Sequence, residues 1–211
     1  MEANFWHERW QSNEIGFHGN QANPLLVANF KRLGLQVGQR VFLPLCGKTL
    51  DIHWLLAQGQ HVAGAELSEI AIQQLFAELE LTPKITSEGQ LLRYSSPAID
   101  IFVGDIFDLT PEQLGPVDAI YDRAALVALP TDLRQRYSAH LMALTQTAPQ
   151  LLICFECDQS LIEGPPFSIA DAEVAQHYQA DYAFKLLSQT EMAGGGLRGK
   201  YPAEEKVWLL Q

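Results

Sequence analysis

The sequence predicts an α/β protein with a mostly parallel, doubly wound sheet that ends in an antiparallel hairpin behind an N-terminal helical cover. Three observations predict it. Between residues 40 and 156, strand-length apolar runs alternate with segments of helical period. After residue 182 the alternation stops, and two strand-like stretches flank a Gly-rich segment too short for a crossover helix, so they must pair antiparallel. Before residue 36 lies an aromatic-rich stretch that such a sheet does not need. With 211 residues, a single domain is expected, residues 1–35 forming the cover and 36–211 a Rossmann-like core.

Taken in order, Trp6 and Trp10 stand four residues apart, on one face of a helix, and Ile15-Gly16-Phe17-His18 follows as a loop. Asn23-Pro24 opens a second helix with a cap residue and a first-turn proline. The first strand spans 40–45 and its helix 49–58, which Gly59 ends. The second strand covers 61–65, and Ser68 caps a helix to about residue 81 whose Ile72, Leu75, Phe76 and Leu79 keep the helical period. The third strand covers 99–103, preceded by an extra strand-like stretch at 91–94. A fourth strand at 117–121 precedes a helix over 133–145, and a fifth at 150–156 is apolar on both faces, as a central parallel strand should be. The closing hairpin is 182–189 with 206–210.

Composition narrows the function. The residues are 47% hydrophobic and 18% charged, which excludes a disordered chain. Fourteen Lys and Arg face 25 Asp and Glu, and a net charge of −11 argues against binding nucleic acid or anionic membranes. Three cysteines, Cys46, Cys154 and Cys157, have no scaffold spacing and fit a reducing compartment. With no secretory pattern at the N-terminus and no run long enough to span a bilayer, a soluble, cytoplasmic protein is expected.

In doubly wound sheets, ligands bind beyond the carboxyl ends of the strands. Four stretches fall there: Leu45-Cys46-Gly47-Lys48, Glu66, Asp105-Ile106 and Asp122-Arg123. Glu66 ends the second strand 19 residues after Gly47, placed to accept hydrogen bonds from both hydroxyls of a ribose; the alternative is a solvated loop acid. Gly47-Lys48-Thr49 ends like a P-loop, but the first glycine of that motif would fall on Phe42, and no G-x-G-x-x-G occurs. Nothing there wraps a pyrophosphate, so a nucleoside ligand without phosphates fits better. Cys154-x-x-Cys157 lies in an apolar strand rather than at a helix start, which reads as buried cysteine and not a redox pair. No His or Cys grouping has zinc spacing and no G-x-S-x-G elbow occurs, so neither a metal nor serine chemistry is expected. A doubly wound sheet closed by an antiparallel hairpin is the outline of the class I S-adenosylmethionine-dependent methyltransferases.

The residues also carry a family resemblance. Trp6-x-x-x-Trp10, Ile15-Gly16-Phe17-His18, Pro44-Leu45-Cys46-Gly47-Lys48, Gly64-Ala65-Glu66-Leu67-Ser68-Glu69 and the ten residues from Tyr121 to Pro130 resemble the thiopurine S-methyltransferase family. So do Gly164-Pro165-Pro166-Phe167 and Glu205-Lys206-Val207-Trp208-Leu209-Leu210, and the blocks run in the family's order along nearly the whole chain. The resemblance implies a cytosolic enzyme that uses S-adenosylmethionine to methylate sulfur on aromatic and heterocyclic thiols. It implies that Trp10, Leu45, Glu66 and Arg123 contact the cofactor, that Asp105 and Ile106 flank the adenine, and that Phe17 faces the substrate. Arg198, in the Gly-rich stretch, only approximately matches a second substrate-side arginine.

The expectation is therefore a monomeric methyltransferase acting on a small thiol. Arg123 is a candidate thiolate stabiliser, its alternative role being an ion pair with Asp122 or Asp105. Other readings are methylation of selenium or tellurium species or another small thiol, and a non-catalytic S-adenosylmethionine-binding module.

Overall fold

The structure is a computed structural model that describes residues 3–16 and 18–211. Phe17, expected at the acceptor, lies outside the described residues. The chain forms two compact units, residues 1–119 and 120–211.

The first unit carries the strand order β3-β4-β5-β2-β1. Its strands are β1 (Arg40–Leu43), β2 (His61–Glu66), β3 (Lys84–Glu88), β4 (Leu91–Ser96) and β5 (Ile99–Val103). β1, β2 and β5 are parallel, with Val41 opposite Val62 and Gly64 opposite Ile101. Parallel neighbours need crossovers. Helices α3 (Leu50–Ala57) and α4 (Glu69–Glu78) follow β1 and β2, and Thr49 and Ser68 cap them. The stretch expected at 91–94 is β4, and it has an unforeseen antiparallel partner in β3. Upstream, α1 (Ala3–Gln11) buries Trp10 and leaves Trp6 half-buried, while Asn23 caps α2 (Pro24–Asn29) with its own side chain accepting from Leu25 N–H.

The second unit carries β6-β7-β9-β8: β6 (Ala119–Arg123), β7 (Gln150–Cys157), β8 (Phe184–Glu191) and β9 (Ala203–Leu210). β6 and β7 are parallel across the helix α6 (Thr131–Thr145), whereas β9 runs antiparallel to both β7 and β8. The hairpin is therefore as expected, and β9 itself, not β8, lies against β7. Between β7 and β8 lies α7 (Asp171–Tyr178), whose mostly polar sequence gave no apolar stripe to read. In the first unit, a four-residue helix, α5 (Pro111–Leu114), went unread for its shortness.

β6 begins two residues later than expected. Asp118 explains this: its carboxylate accepts from the Arg40 N–H at 2.7 Å and the Gln39 side chain at 2.9 Å, holding residues 115–118 as a connection. Asp122 and Arg123 consequently sit inside the strand end and not in a loop after it.

Gly64, mid-β2, is closely packed. A Cβ there would lie 2.7 Å from Ile101 Cδ1 and 2.9 Å from Cys46 Sγ. Gly64→Ala is expected to lower the unfolding free energy by about 1–3 kcal/mol, the scale of overpacking a filled core. Denaturant unfolding with an unchanged m-value checks it.

Candidate active site

In the first unit the chain turns sharply after β1. Leu45 has φ +47° and Gly47 φ +52°, and together they bring the Gly47 N–H towards the end of β2. There the Glu66 carboxylate accepts it at 2.8 Å on Oε2, and accepts the Ser68 N–H at 2.8 Å on Oε1. Ser68 is the N-cap of α4, so one side chain ties the β1 loop to the start of that helix. A glycine also suits this position sterically: a Cβ would stand 3.0 Å from the Trp10 ring, which lies over this turn. Lys48, next in the loop, pairs with Glu78 of α4 at 2.6 Å.

Glu66 is only 6% exposed, and burial pushes its carboxyl above the usual carboxylate range against the opposing pull of the Ser68, Gly47 and Leu67 N–H groups. A carboxylate has about four lone-pair sites, so these N–H groups leave acceptor capacity unused. A vicinal diol suits that remainder. At the neighbouring strand end the Gly104 N–H donates to the Glu66 carbonyl at 2.9 Å. Asp105 follows, exposed, capping a short 3-10 turn by accepting the Phe107 N–H, and Ile106 is buried beside it. The structure thus brings Trp10, Leu45, Gly47 and Glu66 to one turn, with Asp105 and Ile106 at the adjacent strand end.

In the second unit, Asp122 is fully buried. Its Oδ2 accepts the Tyr137 hydroxyl at 2.8 Å and its Oδ1 the Leu126 N–H at 3.2 Å. Burial raises its pKa to about 6 despite those donors. With Ala124 at φ +63°, these bonds fix the turn that carries Arg123. Asp122 is committed to Tyr137 and the turn. The Arg123 Nε is buried with no hydrogen-bond partner, and among the described residues no carboxylate of the second unit forms an ion pair with Arg123. Within this unit, the alternative of a structural pair with Asp122 is not what the structure holds.

Arg198 is exposed, and its guanidinium donates to the carbonyls of Glu163 at 3.4 Å and Pro165 at 3.2 Å. The Phe167 N–H donates to the Val127 carbonyl at 2.7 Å, fastening that loop to the stretch after β6. Sequence reasoning overlooked Arg134 of α6. Nearly buried, it donates to Glu173 at 2.5 Å and 3.2 Å and to the Leu129 carbonyl at 3.0 Å, beneath the Phe167 ring. An arginine on an otherwise buried helix face was the signal available.

The parallel sheet with its crossovers, closed by an antiparallel hairpin, and the acidic end of β2 define a class I S-adenosylmethionine-dependent methyltransferase. Solved structures agree on the fold. One is the magnesium protoporphyrin IX methyltransferase of Synechocystis with bound SAH, at TM-score 0.65 and 16% identity over 100% of both chains. Another is the 1,6-didemethyltoxoflavin-N1-methyltransferase of Burkholderia thailandensis, at TM-score 0.68 and 14% identity, covering 99% of this chain and 86% of that one. The sequence model described as thiopurine S-methyltransferase matches residues 1–211. The chain is 58% identical over 212 residues to the thiopurine S-methyltransferase of Xanthobacter autotrophicus, covering 100% of this chain and 99% of that protein. It is 51% identical to that of Gluconobacter oxydans, covering 98% and 93%. This chain belongs to the thiopurine S-methyltransferase family.

The Asp122 shift has a consequence for stability. A carboxyl whose folded pKa of about 6 exceeds the ordinary 3.8 is stabilising while protonated, and that contribution is lost as pH rises through about 4 to 6. Asp122→Asn should remove this slope, worth roughly 3 kcal/mol across the window. Chemical unfolding of both proteins between pH 4 and 7 measures it.

Proposed function

We propose that the chain transfers the methyl group of S-adenosylmethionine to the sulfur of small aromatic and heterocyclic thiols, thiopurines among them. It acts as a single-domain cytoplasmic monomer, residues 1–35 serving as cover and 36–211 as core, without a nucleic-acid or membrane partner. Among the described residues no helix is long and apolar enough to cross a membrane.

The observation that carries the acceptor class is the Arg123 Nε, a buried donor with no partner. A guanidinium is charged at any working pH and favours an anion, here the acceptor's thiolate over its thiol. Among the cofactor residues, Glu66 would accept the ribose hydroxyls with the lone pairs its backbone partners leave free. Trp10 and Leu45 would wall the turn, and Asp105 and Ile106 would flank the adenine. Arg123 would also reach the cofactor. When bound, S-adenosylmethionine supplies an electrophilic methyl group on a sulfonium. The chain's own work is to hold the reactants in line, exclude water and keep the acceptor ionised. Phe17 and Arg198 belong to the acceptor side in this reading, Arg198 acting through the carbonyls of the 163–165 loop that it fastens.

The test is turnover. Thiophenol and 6-mercaptopurine incubated with the protein and S-adenosylmethionine should release S-adenosylhomocysteine stoichiometrically with the methyl thioether. A protein that binds S-adenosylhomocysteine yet turns over no aromatic thiol would contradict the proposal. Arg123→Met should depress kcat/KM most at low pH, where the acceptor is mostly protonated, and less at high pH. A profile parallel to the native one, merely lower, would mean that the arginine positions ligands and does not select the thiolate.

A further inference from the structure

A thiol that becomes a thiolate must leave its proton somewhere, and the second unit holds one group placed to take it. The sheet register puts Arg123 opposite Ile153, and Phe155, two residues on, opposite Glu205 of β9. Directly paired residues and residues two apart share a sheet face, so Arg123 and Glu205 project from the same face, with β7 between them. Asp122, Cys154 and Lys206 fall on the opposite face by the same register, where Tyr137 and Asp171 engage Asp122 and Lys206.

Glu205 is half-buried in a strand whose next five residues are all buried. Its register neighbours are uncharged: Phe155 on β7 and Thr190 on β8, with Ala203 and Val207 along its own strand. Arg123 is the charged group that acts on it among the described residues. Lys206, adjacent in sequence, is occupied on the other face by Glu156 and Asp171. No ion pair is made between Arg123 and Glu205. A cation and a carboxylate therefore share one face without closing on each other, leaving both able to act on a third group.

We propose that Glu205 takes up the proton of the acceptor thiol as the sulfur ionises against Arg123. The S–H bond breaks, its electron pair stays on sulfur, and the proton forms an O–H bond on the Glu205 carboxylate. The net charge of the face is unchanged, since a neutral thiol and a carboxylate become a thiolate and a carboxylic acid. After methyl transfer the carboxylic acid returns its proton to solvent. Burial raises the Glu205 pKa while Arg123 lowers it, with burial the larger effect, which makes the carboxylate a better proton acceptor than an exposed one. This inference rests on the thiol-methylating reading above and on Arg123 facing the acceptor.

Two measurements test it with Glu205→Gln, which keeps the side chain's size. In the first, thiophenol binds to the protein loaded with S-adenosylhomocysteine, one pH unit below the thiol's own pKa, in two buffers of different ionisation enthalpy. The native protein should release almost no protons, whereas Glu205→Gln should release about one per thiophenol bound or lose affinity at least about tenfold. In the second, Glu205→Gln should lower kcat/KM for thiophenol at least about tenfold below the thiol pKa, the lower end of proton-transfer effects, and converge on the native value above it. Equal proton release in both proteins, or a loss uniform across pH, overturns the proposal and leaves Glu205 a structural residue. Failure of the native protein to turn over any aromatic thiol would instead strike the reading on which it rests.

Discussion

The carboxylate of Glu66 is the constraint on which the first unit's site depends. A buried carboxylate is costly unless its oxygens are satisfied, and each backbone N–H lost from it would cost about 1–3 kcal/mol. The Gly47 N–H can reach Oε2 only because the turn after β1 visits the left-handed region at Leu45 and Gly47. The Ser68 N–H reaches Oε1 only because α4 starts where Ser68 caps it. The helix start also brings positive dipole to the acid. Loop, strand end and helix start are thus one unit, and Trp10 over Gly47 adds the N-terminal helix to it. The same oxygens that hold the loop keep lone pairs unused, the capacity that the proposed function assigns to a ribose.

Asp122 plays the matching part in the second unit. It is buried, satisfied by a hydroxyl and a backbone N–H, and spends its charge on a turn and not on the arginine beside it. That division leaves Arg123 charged and without a partner at Nε in a half-buried place. Farther along the chain, Arg134 and Glu173 brace α6 against α7, and Arg134 holds the Leu129 carbonyl in the stretch after β6. The two acids differ in what they neighbour more than in what they are. One ties a loop to a helix start, and the other leaves the neighbouring arginine unpaired at Nε.

Much of this was legible in the sequence, and the failures have physical causes. The apolar runs of β1, β2, β5 and β7 announced themselves because both faces are buried, and the caps Asn23 and Ser68 marked helix starts by side-chain chemistry. β3 escaped because an edge strand with no residue fully buried carries no apolar run. β6 starts late because Asp118 holds its lead-in as a connection, and it ends late because a buried Asp122 looks like a loop residue until its Tyr137 partner is known. β9 starts at Ala203 and not at 206, since Glu204 and Glu205 broke the apolar pattern that reveals a strand. Glu66 was read from its place at a strand end, but its ties to Gly47 and Ser68 were not, because they depend on backbone N–H directions that residue types do not encode.

The most direct test of the central claim asks whether Glu66 meets the ribose. Calorimetry with S-adenosylhomocysteine and its 2′-deoxy and 3′-deoxy analogues, on the native protein and on folded Glu66→Gln, forms a cycle between ligand hydroxyl and protein carboxylate. If Glu66 accepts those hydroxyls, deleting one weakens binding to the native protein by about 1.5–3 kcal/mol and weakens binding to Glu66→Gln much less. Equal losses in both proteins would mean that the carboxylate serves only its loop and that the ribose is held elsewhere.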